Sequence, residues 1–233
     1  MIRPSSVLVL TTLLAAAAPA AAASRNYTVT AFDRIRVDGP YSVTVTTGRT
    51  PFARATGSAQ ALDGLLVRVE GRTLTVRRDP GAWGGYPGKA QEPVQLTVGT
   101  HDLSAASLNG AGSLGIDKVK GLTFELSAQG AGRADIGQVQ ADRLVVALAG
   151  TVTSRVSGKA LKLTAIVRGA SSLDASELAV RDGVLSAEGP AQLSATLTGT
   201  ARIDASGVAQ VAIAGSPACT VKTLGSATVS GCR

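Results

Sequence analysis

A short phrase recurs down the second half of the 233-residue chain: a glycine, a few small residues, then an apolar residue set between polar ones. It reads Gly-Ala-Gly-Ser-Leu from Gly110, Gly-Ala-Gly-Arg-Ala from Gly130 and Gly-Thr-Val-Thr-Ser from Gly150. It returns as Gly-Ala-Ser-Ser-Leu from Gly169 and Gly-Pro-Ala-Gln-Leu from Gly189. The spacings are 20, 20, 19 and 20 residues. One such unit cannot bury its own apolar face, whereas stacked units share a core. A period near twenty with a β-type pattern therefore points to a solenoid.

Counting outward from each glycine separates an inside from an outside. Four residues on stand Leu114, Ala134, Ser154, Leu173 and Leu193; six on stand Ile116, Ile136, Val156, Ala175 and Ala195. The positions between are mostly polar: Ser113, Arg133, Thr153, Ser172 and Gln192, then Gly115, Asp135, Arg155, Asp174 and Ser194. The same alternation leads up to the glycines, as in Phe124, Leu126 and Ala128 or Leu144, Val146 and Leu148. Period two is the mark of a strand with one buried face. A glycine between two such half-strands marks a corner, where the missing Cβ permits φ > 0 and a close neighbour. At about 3.3 Å per residue, each unit makes a coil with two or three short sides, stacked on the next as parallel strands. Asp135, Arg155 and Asp174 then form an outward column of alternating charge. After Gly189 the glycines fall at Gly199, Gly215 and Gly225, spacings of 10, 16 and 10, which read as irregular capping turns.

The first half is also β, with a weaker period. Phe32 to Val37 and Tyr41 to Thr46 read as strands about Asp38-Gly39-Pro40. Leu65 to Val69 and Leu74 to Val76 flank a hairpin or corner at Glu70-Gly71-Arg72, and Pro93 to Val98 re-enters a strand. Between them a Gly-rich stretch, 81–88, carries Trp83 and Tyr86. These are the candidate binding residues, since an exposed aromatic pair can stack on a sugar or anchor a partner. The competing reading is that they cover an open end of the core. With one Trp, three Tyr and three Phe in the whole chain, a compact α/β enzyme lacks its usual bulky anchors. A narrow solenoid filled by Ala, Val, Leu and Ile does not need them.

The N-terminus reads as a signal peptide over 1–23: Arg3, an apolar run from Val7 to Ala18, Pro19, and an Ala-x-Ala site before Ser24. The expected product is exported, to the periplasm, the outer surface or the medium. No other stretch reads as a transmembrane helix. Residues 24–100 form the N-terminal β part, and 101–233 the regular repeats. Net charge is +7, with the basic residues scattered. No basic block interleaved with aromatics speaks for nucleic acid. A diffuse positive surface is first of all a soluble surface with a mild charge excess; the partners it favours are acidic polysaccharide, anionic lipid headgroups or another envelope component. Cys219 and Cys232, alone and close to the C-terminus, read as a disulfide in an oxidising compartment.

Phe32 to Gly48, then Leu65 to Val76, then the Gly110, Gly130, Gly150 and Gly169 repeats, resemble the bacterial head GIN domain family, described as a putative auto-transporter adhesin head. The resemblance runs from about Tyr27 to Cys232 and lies in the order of these segments. It implies a right-handed parallel β-helix, as one stack or two stacked parts, and brings no catalytic residues with it. Auto-transporters carry a membrane barrel of strands about ten residues long; none is read in this sequence, so a free head is the expectation.

Catalysis is not expected. Glycan lyases and hydrolases need clustered carboxylates with a basic residue or a metal, and the rung carboxylates Asp117, Asp135, Asp174 and Asp204 are dispersed. His101 stands alone. No nucleophile elbow, metal-ligand spacing or calcium nonapeptide appears, and no cofactor is implied. The leading reading is a non-catalytic, adhesin-like secreted or envelope protein that binds surface polysaccharide or another envelope component. A lyase or hydrolase of acidic glycans and a purely structural assembly protein are the rivals.

Overall fold

The computed structural model describes residues 23–82 and 94–232. Four strands, β1 (Ala23–Tyr27), β2 (Arg34–Asp38), β3 (Ser42–Thr47) and β4 (Phe52–Gly57), precede a short helix α1 (Ala59–Asp63). Next come β5 (Leu65–Glu70), β6 (Thr73–Arg78), β7 (Gln95–Thr100) and β8 (Ala105–Gly110). Four long strands follow: β9 (Ser113–Gly130), β10 (Arg133–Gly150), β11 (Thr153–Gly169) and β12 (Ser172–Glu188). The shorter β13 (Gln192–Leu197), β14 (Thr200–Gly207), β15 (Gln210–Ala214), β16 (Ala218–Gly225) and β17 (Thr228–Ser230) complete the stack. Together they form a β-solenoid of about 6 turns, in which β9 to β12 pair in parallel, coil upon coil.

Each long strand turns a corner twice. In β9 the buried and exposed positions alternate along 113–116, lose phase at 117–118 and again at 120–123, then alternate to the end. The coil thus has three sides, here called first, second and third, with inward side chains on each. Phe124, Leu144 and Leu163 stack on the third side and Leu114 and Leu173 on the first, all at most 1% exposed. Two hydroxyls share this core. Ser154 Oγ donates to the Ala134 carbonyl at 2.6 Å, and Ser171 Oγ accepts from the Val152 N–H at 3.2 Å. Left unpaired, each would cost about 1–3 kcal/mol.

The corner between the third side and the next first side is a column of glycines. Gly130 and Gly150 have φ of +107° and +102°. A Cβ on Gly150 would stand 2.4 Å from the Gly130 carbonyl oxygen, and one on Gly130 would stand 2.5 Å from that of Gly110. Only glycine lets the backbones approach so closely in that conformation. The column extends past the repeats read from sequence, from Gly39 beneath Gly110 to Gly207 and Gly225 above Gly189.

The last coils correct the expectation of irregular turns. Thr200 pairs with Ala218 and Gln210 with Thr228, a uniform step of 18 residues. The shortening enters where the register slips between Ala175, opposite Ala195, and Ala179, opposite Thr196. Leu197 then reaches over Gly183, where a Cβ would meet its methyls at 2.9 Å. The narrower coil is filled by that leucine. At the far end Cys219 stacks on Ala201 and is joined to Cys232, with Cα atoms 5.7 Å apart.

The N-terminal end is woven. β2 lies between β6 and β8, and β3 between β7 and β9, all parallel. The first coil in sequence is therefore internal to the stack. Beyond it, β5 pairs antiparallel with β6, as the Gly71 hairpin requires, and β1, β4 and β7 form an antiparallel set. Helix α1, N-capped by Ser58, packs Leu62 at 1% exposure into this end.

Candidate functional site

Charge is arranged differently on the three sides. On the first, Arg133 pairs with Asp135, and Arg155 Nε lies 3.3 Å from Asp174 Oδ2. The Arg155 N–H donates to Asp135 Oδ1 at 3.0 Å, and Ser194 Oγ donates to Asp174 Oδ1 at 3.1 Å. Hydrogen bonds from the Ser176 hydroxyl and N–H, helped by Ser194 and Arg155, hold the Asp174 carboxyl below the usual carboxylate range. The third side pairs Arg168 with Glu188 and Arg202 with Asp204. These are exposed pairs, each contributing about 0–1 kcal/mol. The expected column of Asp135, Arg155 and Asp174 is thus a self-neutralising ladder.

The second side carries Lys118 and Lys120, then Gln138 and Gln140, then Lys159, on successive rungs. All five are exposed. No carboxylate among the described residues lies within ion-pairing distance of these lysines. Two hollows run along this side and meet at Gln140. One, of about 310 Å³, is bordered by Gly48, His101, Asp102, Lys118, Lys120 and Gln138. The other, of about 400 Å³, is bordered by Asp142, Lys159, Leu161 and Arg181, over a floor of the buried Ala141, Ala160 and Val180. Sharing Gln140, they follow one another along the stack and are here called the groove.

Local structure sets these side chains. Asp117 Oδ1 accepts the Thr47 N–H at 3.0 Å, and Thr47 Oγ1 donates to the Lys118 carbonyl at 2.9 Å. The turn into the second side is so tied to the end of β3, and the Lys118 ammonium lies beside Gly48. The His101 carbonyl accepts the Gly48 N–H at 2.9 Å, which places His101 at the mouth of the groove. Two coils on, Gly158 presses against the backbone of Val139 at a φ of +119°. The register slips there by one residue, so Lys159 falls in line with Gln140.

That slip hid the column from sequence reasoning. Ten residues beyond the repeat glycines stand Lys120, Gln140 and then Ala160, and a fixed offset loses the second lysine. The available signal was the 19-residue spacing itself. Of the residues singled out from sequence, Cys219 and Cys232 are bonded to each other, and Gly110, Gly130, Gly150, Gly169 and Gly189 line the corner. Trp83 and Tyr86 lie outside the described residues. Their flanks join the N-terminal end: Ser42 N–H donates to the Val94 carbonyl at 3.0 Å and Asp79 N–H to that of Gly64 at 2.9 Å.

Chemically, the groove offers ammonium and amide donors on an apolar floor. This suits anions and hydroxyl-rich ligands. Among the described residues no group of three or more His, Cys, Asp or Glu side chains is placed to hold a metal ion.

The model of the family described as putative auto-transporter adhesin, head GIN domain, matches residues 31–217. The chain belongs to that family. Solved structures repeat the GIN-domain fold at low identity. A putative adhesin of Bacteroides fragilis is 19% identical over 91% of this chain and 95% of that one, with a TM-score of 0.76. A putative lipid binding protein of Parabacteroides distasonis is 18% identical over 89% and 95%, with a TM-score of 0.72. A putative adhesin of Parabacteroides merdae is 15% identical over 89% and 95%, with a TM-score of 0.66. No curated protein matches the sequence. Family membership supports an adhesin-like role at the cell envelope. No helix among the described residues is long and apolar enough to cross a membrane.

Proposed function

We propose that this protein is an exported, non-catalytic adhesin head that binds an acidic envelope polysaccharide along its second side. The observation that carries this reading is the run of Lys118, Lys120 and Lys159, with no acid partner among the described residues, in a groove parallel to the stack. On the first and third sides Arg133, Arg155 and Arg168 are matched by acids within ion-pairing reach. Free ammonium groups on a rigid sheet attract anions without prior desolvation of a partner, and the groove's length suits a polymer better than a small molecule.

The test is an array of acidic and neutral glycans probed with the purified protein, followed by reducing-end and viscosity assays on every hit. Binding to acidic glycans that weakens with salt is expected. A Lys120→Gln, Lys159→Gln double variant loses at least about tenfold in affinity, the size of one or two charge-assisted hydrogen bonds, with an unchanged melting temperature. Turnover of a bound glycan would instead establish the lyase or hydrolase reading. No preference for acidic glycans would remove this one.

A further inference from the structure

Three successive rungs of the groove present lysine, glutamine and lysine, and from this we infer that its ligand is a linear polyanion with an acid on every second sugar. The inference rests on the polysaccharide reading above and narrows it to one substrate class. Lys120 and Leu122 share one rung; Gln140 and Asp142 share the next; Lys159 and Leu161 share the third; Ala179 shares the fourth with Arg181, which is paired with Asp182. The lysines in this column are therefore two rungs apart, about 9.6 Å along the stack. One pyranose advances a linear glycan by about one rung, so two rungs match a disaccharide.

The rung between the lysines is built for something other than an acid. Gln140 presents a neutral amide, which donates and accepts, as sugar hydroxyl and acetamido groups need. Asp142 repels a carboxylate placed there. The corner leucines fall on the lysine rungs and are 77% and 58% exposed for Leu122 and Leu161. Each offers a methyl surface to the C–H face of a sugar whose acid meets the neighbouring lysine. A homopolymer with an acid on every unit, held with all its acids toward the sheet, sets one acid in three beside Asp142. An anionic bilayer fits less well. Covering both leucines at once carries the Asp142 carboxylate between them into the headgroup layer.

The probes are hyaluronan, with glucuronate on every second sugar, polygalacturonate, with a carboxylate on every sugar, and phosphatidylglycerol vesicles. Calorimetry with the full protein at one ionic strength compares them per disaccharide or per lipid. Hyaluronan is expected to bind at least about tenfold more tightly than polygalacturonate, one ion-paired contact's worth. Gln140→Lys and Asp142→Asn should each narrow that ratio by strengthening polygalacturonate, while Lys120→Gln and Lys159→Gln weaken hyaluronan. Equal affinity for the two glycans, still lost in the lysine variants, would overturn the two-rung spacing and leave the groove as the site. Glycan binding indifferent to both lysines would overturn the groove itself. Vesicle binding lost in Leu122→Ser and Leu161→Ser, without glycan binding, would replace both readings with a lipid surface.

Discussion

The first and second sides of the same coils handle charge in opposite ways. On the first, Arg155 lies between Asp135 and Asp174, bonded to both, and Ser194 and Ser176 add further donors to Asp174. On the second, the rungs present lysine, glutamine and lysine, and no carboxylate among the described residues lies within ion-pairing distance of these lysines. Both sides stand on buried apolar columns, Leu114 and Ala134 beneath the first and Val119 and Val139 beneath the second. The difference is one of partners. A charge answered within the fold contributes a little to stability and is no longer available to a ligand. A charge left open contributes nothing to the fold and keeps its full attraction for an anion. In a solenoid with this much repetition, the rung that departs from pairing is the one to examine for function.

The comparison can be broken outright at the corner both sides share. Gly150→Val places a Cβ against the Gly130 carbonyl and forces a β-branched residue to positive φ. It should cost at least about 3 kcal/mol. Thermal unfolding would show a markedly lower midpoint, and both sides should fail together. A midpoint within a degree of the parent would mean that the stack relaxes there.

Removing the disulfide separates the end of the stack from its middle. Cys219→Ser with Cys232→Ser is expected to lower stability by about 3 kcal/mol in the loop-closure account. Hydrogen exchange should rise first in β16 and β17, while glycan affinity at Lys120 and Lys159, several coils away, stays constant. A parallel loss of affinity would show that the far end also shapes the groove.

The smallest effect tests the paired side alone. Because the folded Asp174 carboxyl titrates below the ordinary range, its contribution is complete above that range. It disappears as the pH falls through the folded value. Asp174→Asn should therefore flatten the acid limb of the stability profile slightly and leave neutral-pH glycan binding unchanged. A change in binding would show that the first side also meets the ligand.

Much of the coil was legible because the signals are local. Period-two alternation places Leu144, Val146 and Leu148 inside, whatever lies above them, and a glycine every twenty residues marks a corner. The weave at the N-terminal end was not legible in the same way. Arg34 pairs with Thr73 on one edge and Ala105 on the other, and nothing near Arg34 names either partner. The even 18-residue step of the last coils was also missed. Gly199, Gly215 and Gly225 were read as one series, but Gly225 continues the old column while Gly199 and Gly215 stack on Arg181 and Leu197.

The sequence by itself determined the architecture, the inward and outward positions and the cysteine pair, since each follows from spacing along the chain. Only the tertiary structure decided which outward residues are neighbours. Lateral contacts in a stack depend on register, and the one-residue slip at Gly158 brings Lys159 above Gln140. That slip makes a groove out of what the sequence shows as scattered lysines.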